Sequence, residues 1–173
     1  MGVTGPLLTA ANASVPGSIY FPAGSYLKSN SRITLGTGAM TFEAWFKLTL
    51  NPATNRIVLV GSSGGDNFRG FSLYNGSYGT PSATVLQVDW EMAGNQPFDV
   101  PTMVADTWYH VAVSRNSSNQ MSLWLNGVRS TTGKVLQAYD FQANYYYPGT
   151  WPGRFTSTDP FYMSNMRFTT TNI

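Results

Sequence analysis

The chain contains no cysteine, one histidine and few charges. Without cysteine it can form no disulfide, no thiolate metal site and no cysteine nucleophile. With His110 as its single histidine, the chain is not expected to carry a Ser-His-Asp triad. Charged residues make up 10% of the chain, against about 25% in ordinary soluble domains. The ten Lys and Arg are scattered singly from Lys28 to Arg167 and the formal net charge is +2. A nucleic-acid partner is therefore not expected, because its basic footprint is missing. No apolar run approaches the ~18 residues that span a bilayer. The opening residues Met-Gly-Val-Thr-Gly-Pro-Leu-Leu lack the basic and long apolar regions of a signal peptide. Pro6 also breaks the myristoylation pattern.

Aromatic residues, by contrast, reach 14%, alongside 17 glycines and 10 prolines. Many β-formers and turn-formers with little charge predict an all-β protein rich in loops. At 173 residues the chain suffices for one domain, burying roughly 70% of the surface its unfolded form exposes. Its surface must consist largely of hydroxyls, amides and rings. Such a surface suits a virion or extracellular setting, where charge repulsion is less needed to keep proteins apart.

Period-two alternation locates the strands. In Met40 to Leu48, Phe42, Ala44, Phe46 and Leu48 share one face, and Thr41, Glu43 and Lys47 the other. Trp108 to Arg115 alternates apolar residues on both faces and predicts a central strand. A second strand follows and closes on Asn126-Gly127, a strong signal for a type I′ hairpin. Further strands are expected at Ser18 to Phe21, Arg32 to Leu35, Arg56 to Val60, Phe68 to Tyr74, Ala83 to Met92, Val128 to Thr131, Lys134 to Ala138 and Phe161 to Phe168. Pro97 to Pro101 reads as a connector, and residues 1–17, with Pro6 and Pro16, as an N-terminal arm before a domain at 18–173.

Four of these segments resemble a known family. Ser-Ile-Tyr-Phe-Pro-Ala-Gly-Ser-Tyr-Leu from Ser18, Phe-Glu-Ala-Trp-Phe-Lys from Phe42, and Trp-Tyr-His-Val-Ala-Val-Ser-Arg with Met-Ser-Leu-Trp-Leu-Asn-Gly are similar to laminin-G-like and pentraxin-like members of the concanavalin A-like lectin/glucanase superfamily. The resemblance spans about residues 18–170. It implies a two-sheet antiparallel jelly-roll β-sandwich whose last strand returns to pair near the start. It does not choose among lectins, adhesion modules, hydrolases and virion proteins.

Four candidate sites follow. Gln87-Val88-Asp89-Trp90-Glu91 resembles the Glu-x-Asp-x-Glu strand of family-16-type glycoside hydrolases. A retaining mechanism needs both outer carboxylates, and Gln87 is a neutral amide, so an amphipathic strand with its polar face to solvent is preferred. His110 could act as a base; a buried, hydrogen-bonded core histidine is the preferred reading. Calcium is a candidate cofactor implied by the resemblance, with Asp66, Asn67, Asp140 and Asn144 as weak oxygen ligands. Solvated turn residues are the preferred reading, because the eight carboxylates form no dense acidic loop. The segment Tyr145-Tyr146-Tyr147, with Trp151 and Arg154, is the best recognition candidate, because rings on a Gly/Pro-shaped loop suit sugar stacking or an interface. Asn12, Asn75 and Asn116 sit in glycosylation triplets and read as surface markers.

The expectation is a non-catalytic module on a virion or cell surface, recognising glycan or protein through loop aromatics. The alternative is a structural virion component, a minor capsid, decoration or fibre protein, with capsid neighbours or copies of itself as partners. A degenerate glycoside hydrolase is the distant third.

Overall fold

A computed structural model describes residues 7–8, 17–63, 72–77, 80–90, 94–131 and 144–170. They form fourteen strands: β1 (Leu7–Leu8), β2 (Ile19–Phe21), β3 (Met40–Leu48), β4 (Val58–Ser63), β5 (Ser72–Asn75), β6 (Val85–Trp90), β7 (Gly94–Asp99), β8 (Trp108–Arg115), β9 (Met121–Leu125), β10 (Val128–Arg129), β11 (Tyr145–Tyr147), β12 (Thr150–Trp151), β13 (Phe155–Thr156) and β14 (Phe161–Thr169). A seven-stranded sheet runs β1-β2-β14-β3-β8-β9-β10, and a five-stranded sheet runs β11-β4-β5-β6-β7. Every pairing between these strands is antiparallel. The two sheets enclose one apolar core, so the architecture is an all-β sandwich.

The alternation in β3 sets the core face. Phe42, Ala44, Phe46 and Leu48 are buried. Their neighbours on β8 are Val113, Val111 and Tyr109, in register with Phe42, Ala44 and Phe46. The same parity sends Trp45, Lys47, Trp108 and His110 to the opposite, outer face of the seven-stranded sheet. Asn126 and Gly127 both take positive φ, 51° and 77°, as a type I′ turn requires. The last strand does return to the start: β14 pairs with both β2 and β3. A bulge between Ser164 and Arg167 carries Asn165 at φ 50°.

Some elements differ from their sequence signals. The expected strand at Arg32 to Leu35 shrinks to one bridge, Ile33 with Asn144. Pro97 lies inside β7 rather than in a connector. As β7 is an edge strand, it must pair on one side only, which tolerates proline. Leu7–Leu8, within the expected arm, pair with β2 as an edge strand. Lys134 to Ala138 lies outside the described residues.

Arg115, fully buried, holds the Gly36 to Gly38 turn. Its Nε donates to the Gly38 carbonyl at 2.9 Å and its Nη2 to the Gly36 carbonyl at 2.7 Å. A buried guanidinium persists because its donors are satisfied.

Candidate functional site

The tyrosine segment forms β11, an edge of the five-stranded sheet. Its alternation decides each ring's fate. Tyr146 is paired with Ser62, is 1% exposed and belongs to the core, its ring 4.5 Å from that of Phe168. Tyr145 and Tyr147 are half-exposed on either side of it.

Residues 27–33 run along the open side of β11. Leu27 N–H donates to Pro148 O at 3.0 Å, Ser29 N–H to Tyr146 O at 2.9 Å, and Ile33 N–H to Asn144 O at 2.8 Å. Ser29 Oγ accepts from Tyr146 N–H at 3.1 Å. This ladder satisfies the edge's polar groups and carries Lys28 and Arg32 to the tyrosines. Lys28 Nζ lies 4.0 Å from the centre of the Tyr145 ring and 6.0 Å from that of Tyr147. The Arg32 guanidinium lies 5.5 Å from the Tyr145 ring. Tyr26, 52% exposed, stands with its ring 6.1 Å from that of Tyr147. Gly149 permits this approach. It adopts φ 95°, and a Cβ there would stand 3.1 Å from Tyr26 Cα and strike the Ser25 carbonyl. Beside the patch, Leu27 and Pro148 help to line an apolar cleft of about 290 Å³ with Ile19, Phe21, Met163 and Met166.

The structure corrects several candidates. Tyr146 and Trp151 are not surface rings. Trp151 is 4% exposed, packed in a second apolar cluster with Val58 and Tyr74 on the outer face of the five-stranded sheet. It arrives there on the β12–β13 hairpin, which crosses so closely that a Cβ on Gly61 would lie 2.5 Å from Trp151 Cα. Arg154 is exposed, its guanidinium 5.7 Å from the Trp151 ring. Asn75 is no surface marker: it is fully buried and its Nδ2 donates to the carbonyls of Pro52 and Asn55 at 2.8 Å.

Gln87 and Asp89 do not face solvent either; both are buried on the outer side of β6. Gln87 Nε2 donates to Tyr74 Oη at 2.7 Å, and the Tyr74 hydroxyl also bonds Asp89. Burial, reinforced by the Asp89 charge, pushes the Tyr74 hydroxyl well above the usual tyrosine range. Arg56 lies over the Tyr74 ring at 5.3 Å. The polar groups of the strand that the hydrolase resemblance singled out are thus engaged with Tyr74 rather than with solvent. Glu91 lies outside the described residues.

His110 is half-exposed on the outer face of the seven-stranded sheet, not in the core. Its ring is 5.2 Å from Trp45 and its Nε2 3.9 Å from Glu43, which also pairs with Arg167. Of the calcium candidates, Asp66, Asn67 and Asp140 lie outside the described residues. Asn144 is buried and its backbone pairs with Ile33. Among the described residues, no group of three acidic or histidine side chains could hold a metal ion. No described helix is long and apolar enough to cross a membrane.

Tyr26, Lys28 and Arg32 carried no sequence signal for this site. Their partner strand lies more than a hundred residues away, and only the fold joins them.

The chain's likeness to known proteins agrees with the sandwich. A laminin G-type sequence model of the concanavalin A-like lectin/glucanases superfamily matches residues 21–168. No curated protein matches the chain. Among solved structures, the native heptameric SAP-like pentraxin from Limulus polyphemus has a TM-score of 0.69 at 16% identity, over 87% of this chain and 74% of the pentraxin. The botulinum neurotoxin serotype D binding domain has a TM-score of 0.68 at 11% identity, over 97% of this chain and 42% of the toxin domain. The same serotype's ligand binding domain in complex with N-acetylneuraminic acid gives 0.65 at 12%, over 97% and 41%. The chain thus spans about two fifths of the toxin domains it matches. At these identities the likeness is one of fold.

Proposed function

The chain belongs to the concanavalin A-like lectin/glucanase superfamily, and on that premise we propose that it is a non-catalytic module that binds glycan, displayed on a virion or another extracellular surface. The observation that carries this reading is the rim patch: the open rings of Tyr26 and Tyr147, with two cations held over Tyr145. Aromatic faces stack on the C–H faces of sugars, and their low rotamer entropy makes them efficient contacts. The solved structure of a toxin domain in complex with N-acetylneuraminic acid supports the class of ligand. The amide of Gln87, bound to Tyr74, stands where a retaining glycosidase would need its carboxylate nucleophile.

A glycan array tests the proposal, run with calcium and with chelator, on the wild type and on Tyr26→Ala/Tyr147→Ala. Binding by the wild type that the folded double variant loses is the expected result. A blank array from folded wild-type protein would overturn the proposal. Because Tyr146 and Trp151 are buried, substituting them would report on folding instead.

One observation favours a structural role as a second reading. The outer face of the seven-stranded sheet aligns Tyr20, Tyr162, Lys47 and Trp108 in cross-strand register, with Trp45 and Trp124 nearby. A face rich in Trp and Tyr suits contact with a protein neighbour. Light scattering of the wild type and Trp45→Ser/Trp108→Ser tests it: a higher-order species lost in the variant supports the structural role, and a monomeric wild type removes the self-assembly form of it.

A further inference from the structure

We infer that the glycan bound at the rim patch is anionic, its carboxylate or sulfate held by Lys28 and Arg32; this rests on the glycan-binding reading above. The patch holds two cations side by side, both exposed. Among the described residues no carboxylate pairs with either one; the ion pairs there join Glu43 to His110 and Arg167. Both cations lie over the same ring, that of Tyr145. That ring is thereby occupied as a cation platform; Lys28 stands farther from Tyr147, at 6.0 Å, so the exposed Tyr26 and the partly exposed Tyr147 remain as the faces for a sugar.

The two groups are placed by backbone, not by chance meeting of long side chains. Hydrogen bonds at Leu27, Ser29 and Ile33 fix the segment along β11, so Lys28 and Arg32 leave the chain at set positions on either side of Ser29. A neutral sugar stacked on Tyr147 would offer these cations only uncharged hydroxyl acceptors in exchange for part of their hydration. An anionic substituent turns the same proximity into charge-assisted hydrogen bonds. Arg32 offers a planar fork that suits a carboxylate or sulfate in two-point contact, and Lys28 a compact point charge. In this arrangement the tyrosines read the ring and the cations read the acid.

The inference distinguishes this patch from the other cation–ring contacts of the chain. On the outer face of the seven-stranded sheet, Lys47 lies over Tyr162 at 4.6 Å and Arg129 over Trp124 at 5.8 Å. There each ring carries one cation. Only at β11, among the described residues, do two cations converge on one ring beside two further open rings and an apolar cleft.

The test is calorimetric titration of the protein with sialyllactose, a galacturonate oligomer, a heparin-derived oligosaccharide and neutral lactose, in low and in physiological salt. The variants are Lys28→Gln/Arg32→Gln and Tyr26→Ala/Tyr147→Ala, each checked for an unchanged unfolding midpoint. We expect at least one acidic sugar to bind more tightly than lactose. Removing both cations should weaken it about tenfold, the size expected for two exposed ion pairs, and raised salt should weaken it in the wild type but little in that variant. The carboxylated and sulfated arms identify which acid the site prefers. Equal binding of lactose and sialyllactose, lost in the tyrosine variant, would overturn the anionic inference and leave the glycan reading intact. Acid-selective binding that survives loss of both cations would overturn the assignment to Lys28 and Arg32. Heparin binding that the tyrosine variant retains would be general polyanion attraction and would overturn it as well. No binding of any sugar by folded protein would sink both this inference and the reading beneath it.

Discussion

Adjacent tyrosines on β11 should respond to substitution in opposite ways. Tyr146 is 1% exposed in the main core. Burying an aromatic side chain removes about 150–250 Å² from water, worth about 4–6 kcal/mol at about 25 cal/mol per Å². Core Phe→Ala and Trp→Ala substitutions cost about 3–5 kcal/mol, so Tyr146→Ala should cost about 4 kcal/mol. That is a large part of the about 5–15 kcal/mol that holds a domain folded. Tyr147, half-exposed with its ring contact to Tyr26 at the surface, should cost less than about 1 kcal/mol. With a urea slope of about 2 kcal/mol per molar, the midpoint should fall about 2 M for Tyr146→Ala and less than about 0.5 M for Tyr147→Ala. Glycan binding should show the reverse order: lost in Tyr147→Ala, kept in Tyr146→Leu at temperatures where that variant is folded. Equal midpoint losses for the two alanine variants would refute the period-two assignment of β11 and, with it, the rim patch.

The buried Arg115 offers an independent check on the fold. Arg115→Met keeps volume but leaves the Gly36 and Gly38 carbonyls without their charged donor. It should cost about 2–4 kcal/mol in urea unfolding, and an unchanged midpoint would contradict the role assigned to it. Gly149→Ala should disturb the rim from a distance: its Cβ meets the Ser25–Tyr26 backbone in a positive-φ conformation. We expect both lower stability and weaker glycan binding, whereas intact binding would show that Tyr26 needs no such close approach. The raised Tyr74 pKa also has a defined sign. Above the ordinary value of 10.0 the unfolded chain releases this proton while the folded chain keeps it, so stability should fall as pH rises through that range. In urea midpoints measured from pH 8 to 11, Tyr74→Phe should fall less steeply than the wild type; parallel curves would mean that Tyr74 ionises freely when folded.

Much of the sandwich is legible in local pattern. The alternation of Phe42, Ala44, Phe46 and Leu48, the Asn126-Gly127 turn and the closing Phe161 strand each needs only neighbouring residues to specify it. The site is less legible because long-range packing sets it. The same tyrosine run supplies one core ring and two rim rings, and the phase of that alternation depends on pairing with Gly61 to Ser63. Trp151 and Gln87 look like surface chemistry in sequence, yet the β12–β13 hairpin folds over the outer sheet face and the Gln87 amide turns to donate to Tyr74. Asn75 likewise matches a surface triplet, but its amide serves as a buried hydrogen-bond hub for the loop at Pro52 to Asn55. His110 has the opposite history: an apolar neighbourhood in sequence, and an outer-face position once β8 pairs with β3.

The most direct test of the account is a nuclear magnetic resonance titration of the assigned aromatic protons with a glycan ligand. The account requires shifts concentrated on the rings of Tyr26, Tyr145 and Tyr147, with Tyr74 and the Trp45–Trp108 face unmoved. Shifts centred on Tyr74 or on the tryptophan face, with Tyr26 and Tyr147 silent, would contradict it.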